Sequence, residues 1–149
     1  MFYRIFLLLF TLVSFGIFSC NDTNRHSGTT IGPIKHLFKI PHLIENSQYL
    51  YWEETPLSNP ESIGPTDRRL VIVVKPNDSV IKDVKSSFID SCKVFNDTTY
   101  LKLWMPIEIK KVLKGEDSSC ILNTHNLLMN NYKGASILTK DGYILFIID

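Results

Sequence analysis

No charge of one sign dominates this sequence: 16 Lys and Arg stand against 15 Asp and Glu, a formal net charge of +1. That balance excludes a nucleic-acid binder that works through a broad basic surface. No apolar run reaches the ~20 residues that a membrane-spanning helix needs. Glycine and cysteine are scarce, at 7 and 3 residues, and the sequence holds no Gly-rich phosphate loop, no CxxC pair and no Cys/His cluster. Phosphate-cradling, zinc and thioredoxin-like redox chemistry therefore have no motif to carry them. GxSxG and HExxH are also missing, which removes the commonest hydrolase signatures. The histidines (His26, His36, His42 and His125) stand apart, and a general base at His125 would need a nucleophile and a carboxylate that cannot be located. Glu53 and Glu54 are adjacent, and neighbours on a strand point to opposite faces, so they cannot flank one glycosidic bond. The reading is of a chain that is not an enzyme, with no catalytic residue, no metal ligand and no cofactor.

What is present is unevenly spread. Met1 to Ser19 holds 14 apolar residues and five of the nine Phe, with Arg4 as its only charge. The 14-residue run from Ile5 to Phe18 is broken only by Thr11, Ser14 and Gly16. As a helix it would span about 21 Å, short of the roughly 30 Å hydrocarbon core. A positive head, a short apolar run and a small residue at its end read as a secretory signal peptide over residues 1–19.

The run ends in Ile17-Phe18-Ser19-Cys20, which resembles the lipobox of a bacterial lipoprotein in the relaxed form used by Bacteroidota. The resemblance implies cleavage before Cys20, a diacylglyceryl thioether on its sulfur and an acylated amino terminus carrying a palmitate-like chain. Two or three acyl chains anchor a protein firmly to a lipid bilayer. Asn21 is not the aspartate that resembles an inner-membrane retention signal, so the expected place is the outer membrane of the cell envelope, with its periplasmic and surface faces both open. Residues 20–30 then read as lipidated Cys and flexible tether, because Asn21 to Thr30 holds no apolar residue. The globular domain is expected over residues 31–149. Removal of residues 1–19 leaves 130 residues with 15 basic and 15 acidic side chains: a neutral, ordinary soluble domain on a lipid tether.

Two cysteines remain after lipidation. In an oxidising compartment Cys92 and Cys120 either form a disulfide or stay free, with Cys92 packed on the apolar face of a helix.

Along the domain, Pro41 interrupts the helical spacing of Ile34–Ile44, which reads as two short helical turns or a loop laid over the core. Residues 48–54 and Arg69 to Lys75 read as strands, the second β-branched and apolar on both faces. Between them, Thr55 to Asp67 is a loop. Ile81, Val84, Phe88, Cys92 and Phe95 recur at three- and four-residue steps and predict one helix opened at Asn77 or Asp78. Thr99 to Met105 alternates as a strand should, with Leu101, Leu103 and Met105 on the apolar face and Tyr100, Lys102 and Trp104 on the other. Pro106 opens a short helix that Gly115 closes, and Ile121 to Tyr132 carries a further helical stripe. Asp141-Gly142 predicts a two-residue type I′ turn in a C-terminal hairpin. The last strand, YILFII, has no polar position and belongs in the middle of a sheet covered on both faces. The expectation is an α+β domain: a mixed or antiparallel sheet with a C-terminal β-hairpin and two or three packed helices.

The least bland features are aromatic. Tyr, Trp and Arg dominate protein-binding hot spots, and Tyr49, Tyr51, Trp52, Arg68, Arg69, Tyr100 and Trp104 are the candidate partner-binding residues. Both tryptophans read first as core. Lys110, Lys111 and Lys114 read first as a solvated helix face, with anionic lipid as the other reading. Asp78-Ser79-Val80 and Asp97-Thr98-Thr99 resemble the three-residue O-glycosylation signal of Bacteroidota. The expected function is a membrane-anchored lipoprotein that binds a protein partner and no nucleic acid, by analogy an immunity protein neutralising a toxin in the periplasm. The alternatives are an accessory lipoprotein of envelope assembly or nutrient capture, and an enzyme with scattered catalytic residues.

Overall fold

A computed structural model describes residues 26–56, 68–130 and 132–149. Seven strands form one sheet in the order β1-β2-β3-β7-β6-β5-β4. They are β1 His26–Gly28, β2 Tyr49–Pro56, β3 Arg68–Lys75, β4 Ile89–Asn96, β5 Lys114–Leu122, β6 Gly134–Thr139 and β7 Ile144–Ile148. Every neighbouring pair runs antiparallel. The expected α+β class holds in this form, as a sheet-dominated domain with short helices on it.

Side-chain alternation along the central strands makes two cores. On one face Ile72 and Val74 of β3, Leu138 of β6, and Ile144 and Phe146 of β7 pack under Leu37, Phe38, Leu43 and Ile44. The helix α1 (Asp78–Ser87) adds Ile81 and Val84 to that face. On the other face Val71, Val73, Ile137, Leu145 and Ile147 meet Met105 and the helix α2 (Ile107–Leu113) through Ile109, Val112 and Leu113. All five residues of β7 are buried, as a strand covered on both sides requires. Phe146 and Phe38 meet edge to face at 5.1 Å between ring centres.

Several local expectations are corrected. The domain starts before Ile31: Ser27 and Gly28 pair with Glu53 and Trp52, and Thr30 accepts a hydrogen bond from the Trp52 indole. Polar residues suffice there because an edge strand is held by its backbone. The helix expected to reach Phe95 stops at Ser87, and β4 follows. Phe88 and Phe95, expected on one helical stripe, pack against opposite cores, and register shifts at Ile89/Ser91 and Val94/Asn96 break the alternation that would have marked the strand. Thr99 to Met105 is not a strand. It opens with a single 3-10 turn, Thr98–Tyr100, whose Asp97 side chain accepts from the Thr99 amide. The stripe from Ile121 is split: β5 runs to Leu122 and only Thr124–Leu127 (α3) is helical. The hairpin between β6 and β7 turns through Lys140–Gly142, with Gly142 alone at positive φ (82°), so the type I′ turn is not formed. The Thr139 hydroxyl accepts the Tyr143 amide in its place.

Candidate interaction surfaces

The two edges of the sheet differ in what they expose. At the β1 edge, segment 97–106 lies across β2 and β3 on the α2 face. Glu53 of β2, 7% exposed, receives the Trp104 indole N–H at 2.5 Å and the Lys102 ammonium at 3.2 Å. Tyr51 packs on Trp104 with ring centres 4.4 Å apart, and the Tyr49 hydroxyl donates to the Trp104 carbonyl at 3.5 Å. The Arg69 guanidinium sits 5.0 Å from the centre of the Tyr100 ring and donates to the Asp149 carboxylate at 2.6 Å. That bond raises the Arg69 pKa further above its already basic value. Burial, then the neighbouring Tyr143 and Tyr51, push the Tyr49 phenol up from its usual value.

Five of the candidate partner-binding residues (Tyr49, Tyr51, Arg69, Tyr100 and Trp104) are thus brought together, half-buried and largely engaged with one another. Trp52 is not with them. It lies in the core under the opposite face, 7% exposed, with Gly28 so close that a Cβ there would sit 3.1 Å from the indole. Trp52 is therefore corrected from a candidate contact to a core residue. Arg68 pairs with Pro56 through the backbone, and its side chain lies outside the described residues, as do Cys20 and Asp67.

Sequence alternation places Leu101 and Leu103 inside, yet the structure turns them out. Leu103 is 98% exposed and Ile107 57%. The inward positions go to Trp104 and Tyr100 because the Trp104 indole N–H finds Glu53 and the Tyr100 ring lies under the Arg69 guanidinium. Lys110 reaches back from α2 to donate to the Leu103 carbonyl at 2.7 Å. No sequence signal marks this corner, since the pattern that identifies a strand assigns Leu103 to the wrong side.

At the far edge, β4 has no strand beyond it among the described residues. Cys92 faces Cys120 directly across β4 and β5, and the two are joined as a disulfide. Beside the bridge lies an open cavity of about 320 Å³ between α1 and the sheet, bounded by Ile89, Leu138, Lys85 and Lys140. Lys140 pairs with Asp117 and holds that carboxyl below the usual range. Ile89 and Val94 on β4 are 38% and 60% exposed.

The remaining sequence candidates stay separate. His36, His42 and His125 are exposed, and His36 meets only the edge of Tyr132. Among the described residues no three His, Cys, Asp or Glu gather as a metal site. Lys111 is exposed, and Lys114 lies 3.9 Å from Glu116. Ser79 and Thr98 are both exposed, on the first turn of α1 and in the 3-10 turn. The chain matches no known protein family, no curated protein and no solved structure.

Proposed function

We propose that the chain is a bacterial lipoprotein, held through Cys20 at the outer membrane, whose domain captures a protein partner and neutralises it, the partner being a toxin effector. The lipobox-like Ile17–Cys20 supports the anchor, because Cys20 stands only six residues ahead of His26 in β1. The observation that carries protein capture is the far edge of the sheet. β4 is eight residues long, it ends the sheet, and it presents Val94 and Ile89 to solvent.

An unpaired strand offers backbone N–H and C=O groups to an extended segment of another protein, while its side chains and any adjoining pocket select that segment. The cavity beside Cys92 adjoins the strand in this way. Six inter-strand gaps of about 4.8 Å separate β1 from β4, so β4 stands roughly 29 Å from the edge at which the anchor joins. A partner is met on the side away from the bilayer. An interface of about 1,600 Å² suffices for capture and needs no chemistry.

The test is protection. Cells lacking the gene are challenged with wild-type cells of the same strain, then complemented with wild type or Val94→Lys. Killing of the deletion strain, rescue by wild type and failure by V94K are expected. A deletion strain that survives overturns the immunity reading, and full rescue by V94K overturns β4 as the capture edge. Loss of a metabolic palmitate label in Cys20→Ser tests the anchor separately.

A further inference from the structure

We infer that the corner formed by Leu103 and Ile107 is a bilayer-docking tip, which seats the β1 edge of the domain on an anionic phospholipid surface. The inference rests on the anchored reading above and goes beyond it, by stating which face meets the lipid.

Three observations converge on that occupant. The corner is the most exposed apolar feature of the described residues, with Leu103 98% and Ile107 57% exposed. The two belong to one surface: Ile107 and Lys110 lie one turn apart on α2, and the Lys110 ammonium bonds the Leu103 carbonyl at 2.7 Å. On the same helix the apolar pair is followed by Lys110 and the exposed Lys111, two cations against the single carboxylate of Glu108. Apolar side chains that enter the acyl region beside lysines at headgroup level are the pattern of an interfacial contact, and each lysine adds attraction to anionic lipid.

The third observation is where the chain arrives. Glu53 holds Trp104 and Lys102, the two residues on either side of Leu103, and the strand partner of Glu53 is Ser27. Leu103 therefore lies toward the edge of the sheet at which the first described residues join, and α2 leads from it back over the sheet toward β5 and β4. Six residue steps lead from Cys20 to His26, a fully extended reach of about 20 Å. An acylated Cys20 keeps this edge within that distance of the membrane. Docking is then an intramolecular event at high effective concentration, so a contact of two apolar residues is enough.

Trp104 is the native reporter, because it neighbours Leu103 while Trp52 is buried under the opposite face. The full lipoprotein is reconstituted into phosphatidylethanolamine–phosphatidylglycerol vesicles with brominated acyl chains, and flotation and tryptophan emission are read together. Flotation with quenching relative to unbrominated vesicles is expected, and Leu103→Asp should still float but lose most of the quenching. Burial of one leucine side chain predicts a shift of at least about tenfold in the docked-to-free ratio. Leu103 is solvent-exposed, so the variant retains the fold. Flotation without quenching, or equal quenching in L103D, overturns the tip and leaves the anchor standing, whether the corner is then bare or covered by a second copy of the chain. Failure to float overturns the anchor, and with it the tip.

Discussion

Removal of the Glu53 carboxylate tests how segment 97–106 is held. In Glu53→Ala the Trp104 indole N–H loses its acceptor at 2.5 Å and the Lys102 ammonium loses its partner at 3.2 Å. A hydrogen bond to a charged group contributes about 1.5–3 kcal/mol. The Lys102 side chain is 27% exposed, and it turns to water when released, so its share is small. Trp104 is the larger loss, and the deleted methylene adds about 0.8 kcal/mol. The expected destabilisation is about 3 kcal/mol, or a fall of roughly 12 °C in Tm for a domain of this size. Glu53→Gln keeps an amide oxygen for the indole and should lose only about 1 kcal/mol. Urea denaturation followed by tryptophan emission measures both, and the native emission of E53A should also shift red as Trp104 meets water. If E53A falls within about 0.5 kcal/mol of wild type, or E53Q is more stable than wild type, the carboxylate is not the fastener of this segment.

Further expectations follow from single features. The disulfide joins residues 28 apart in sequence, so C92S/C120S should lose about 3–4 kcal/mol in the chain-entropy account, and wild type measured in reductant should lose the same amount. A Cβ at Gly134 would fall 1.9 Å from the Ile147 carbonyl oxygen while Gly32 meets nothing within 4 Å; Gly134→Ala should fail to accumulate as folded protein and Gly32→Ala should match wild type by circular dichroism. Because the folded state raises the Tyr49 pKa above the ordinary 10.0, its contribution is intact below that pH and is lost as the pH rises through the folded value. Urea midpoints taken between pH 8 and about pH 11 should therefore fall more steeply in wild type than in Tyr49→Phe.

The parts of this fold that were legible in sequence are those decided by burial alone. YILFII has no polar position, and it becomes the central β7; RLVIVVK lies beside it as β3. The parts that were not legible turn on partners distant in sequence. The apolar positions from Ile81 to Phe95 fit a helix, but Cys92 pairs with Cys120 on the neighbouring strand, and two register shifts in β4 hide the alternation of a strand. Leu103 and Trp104 exchange their expected sides because a buried carboxylate 51 residues away accepts the indole. Tyr49, Tyr51, Arg69, Tyr100 and Trp104 were recognisable by residue type, and the structure brings them together, but spacing alone did not separate them from Trp52. That division came from which face of β2 each residue occupies.

The order of the strands also sets the order of assembly. β7 is the last strand in sequence, yet it joins β3 on one side to β6 on the other, and Leu70 meets Ile148 across a separation of 78 residues. Until Ile144–Ile148 arrive, β1–β3 and β4–β6 are two half-sheets with bare apolar faces and no common core. The sheet therefore closes only when β7 is in place between strands that are distant from it in sequence. The contacts that complete the fold are then long-range ones, which form slowly. Until then the apolar faces of both half-sheets are open to proteolysis and aggregation.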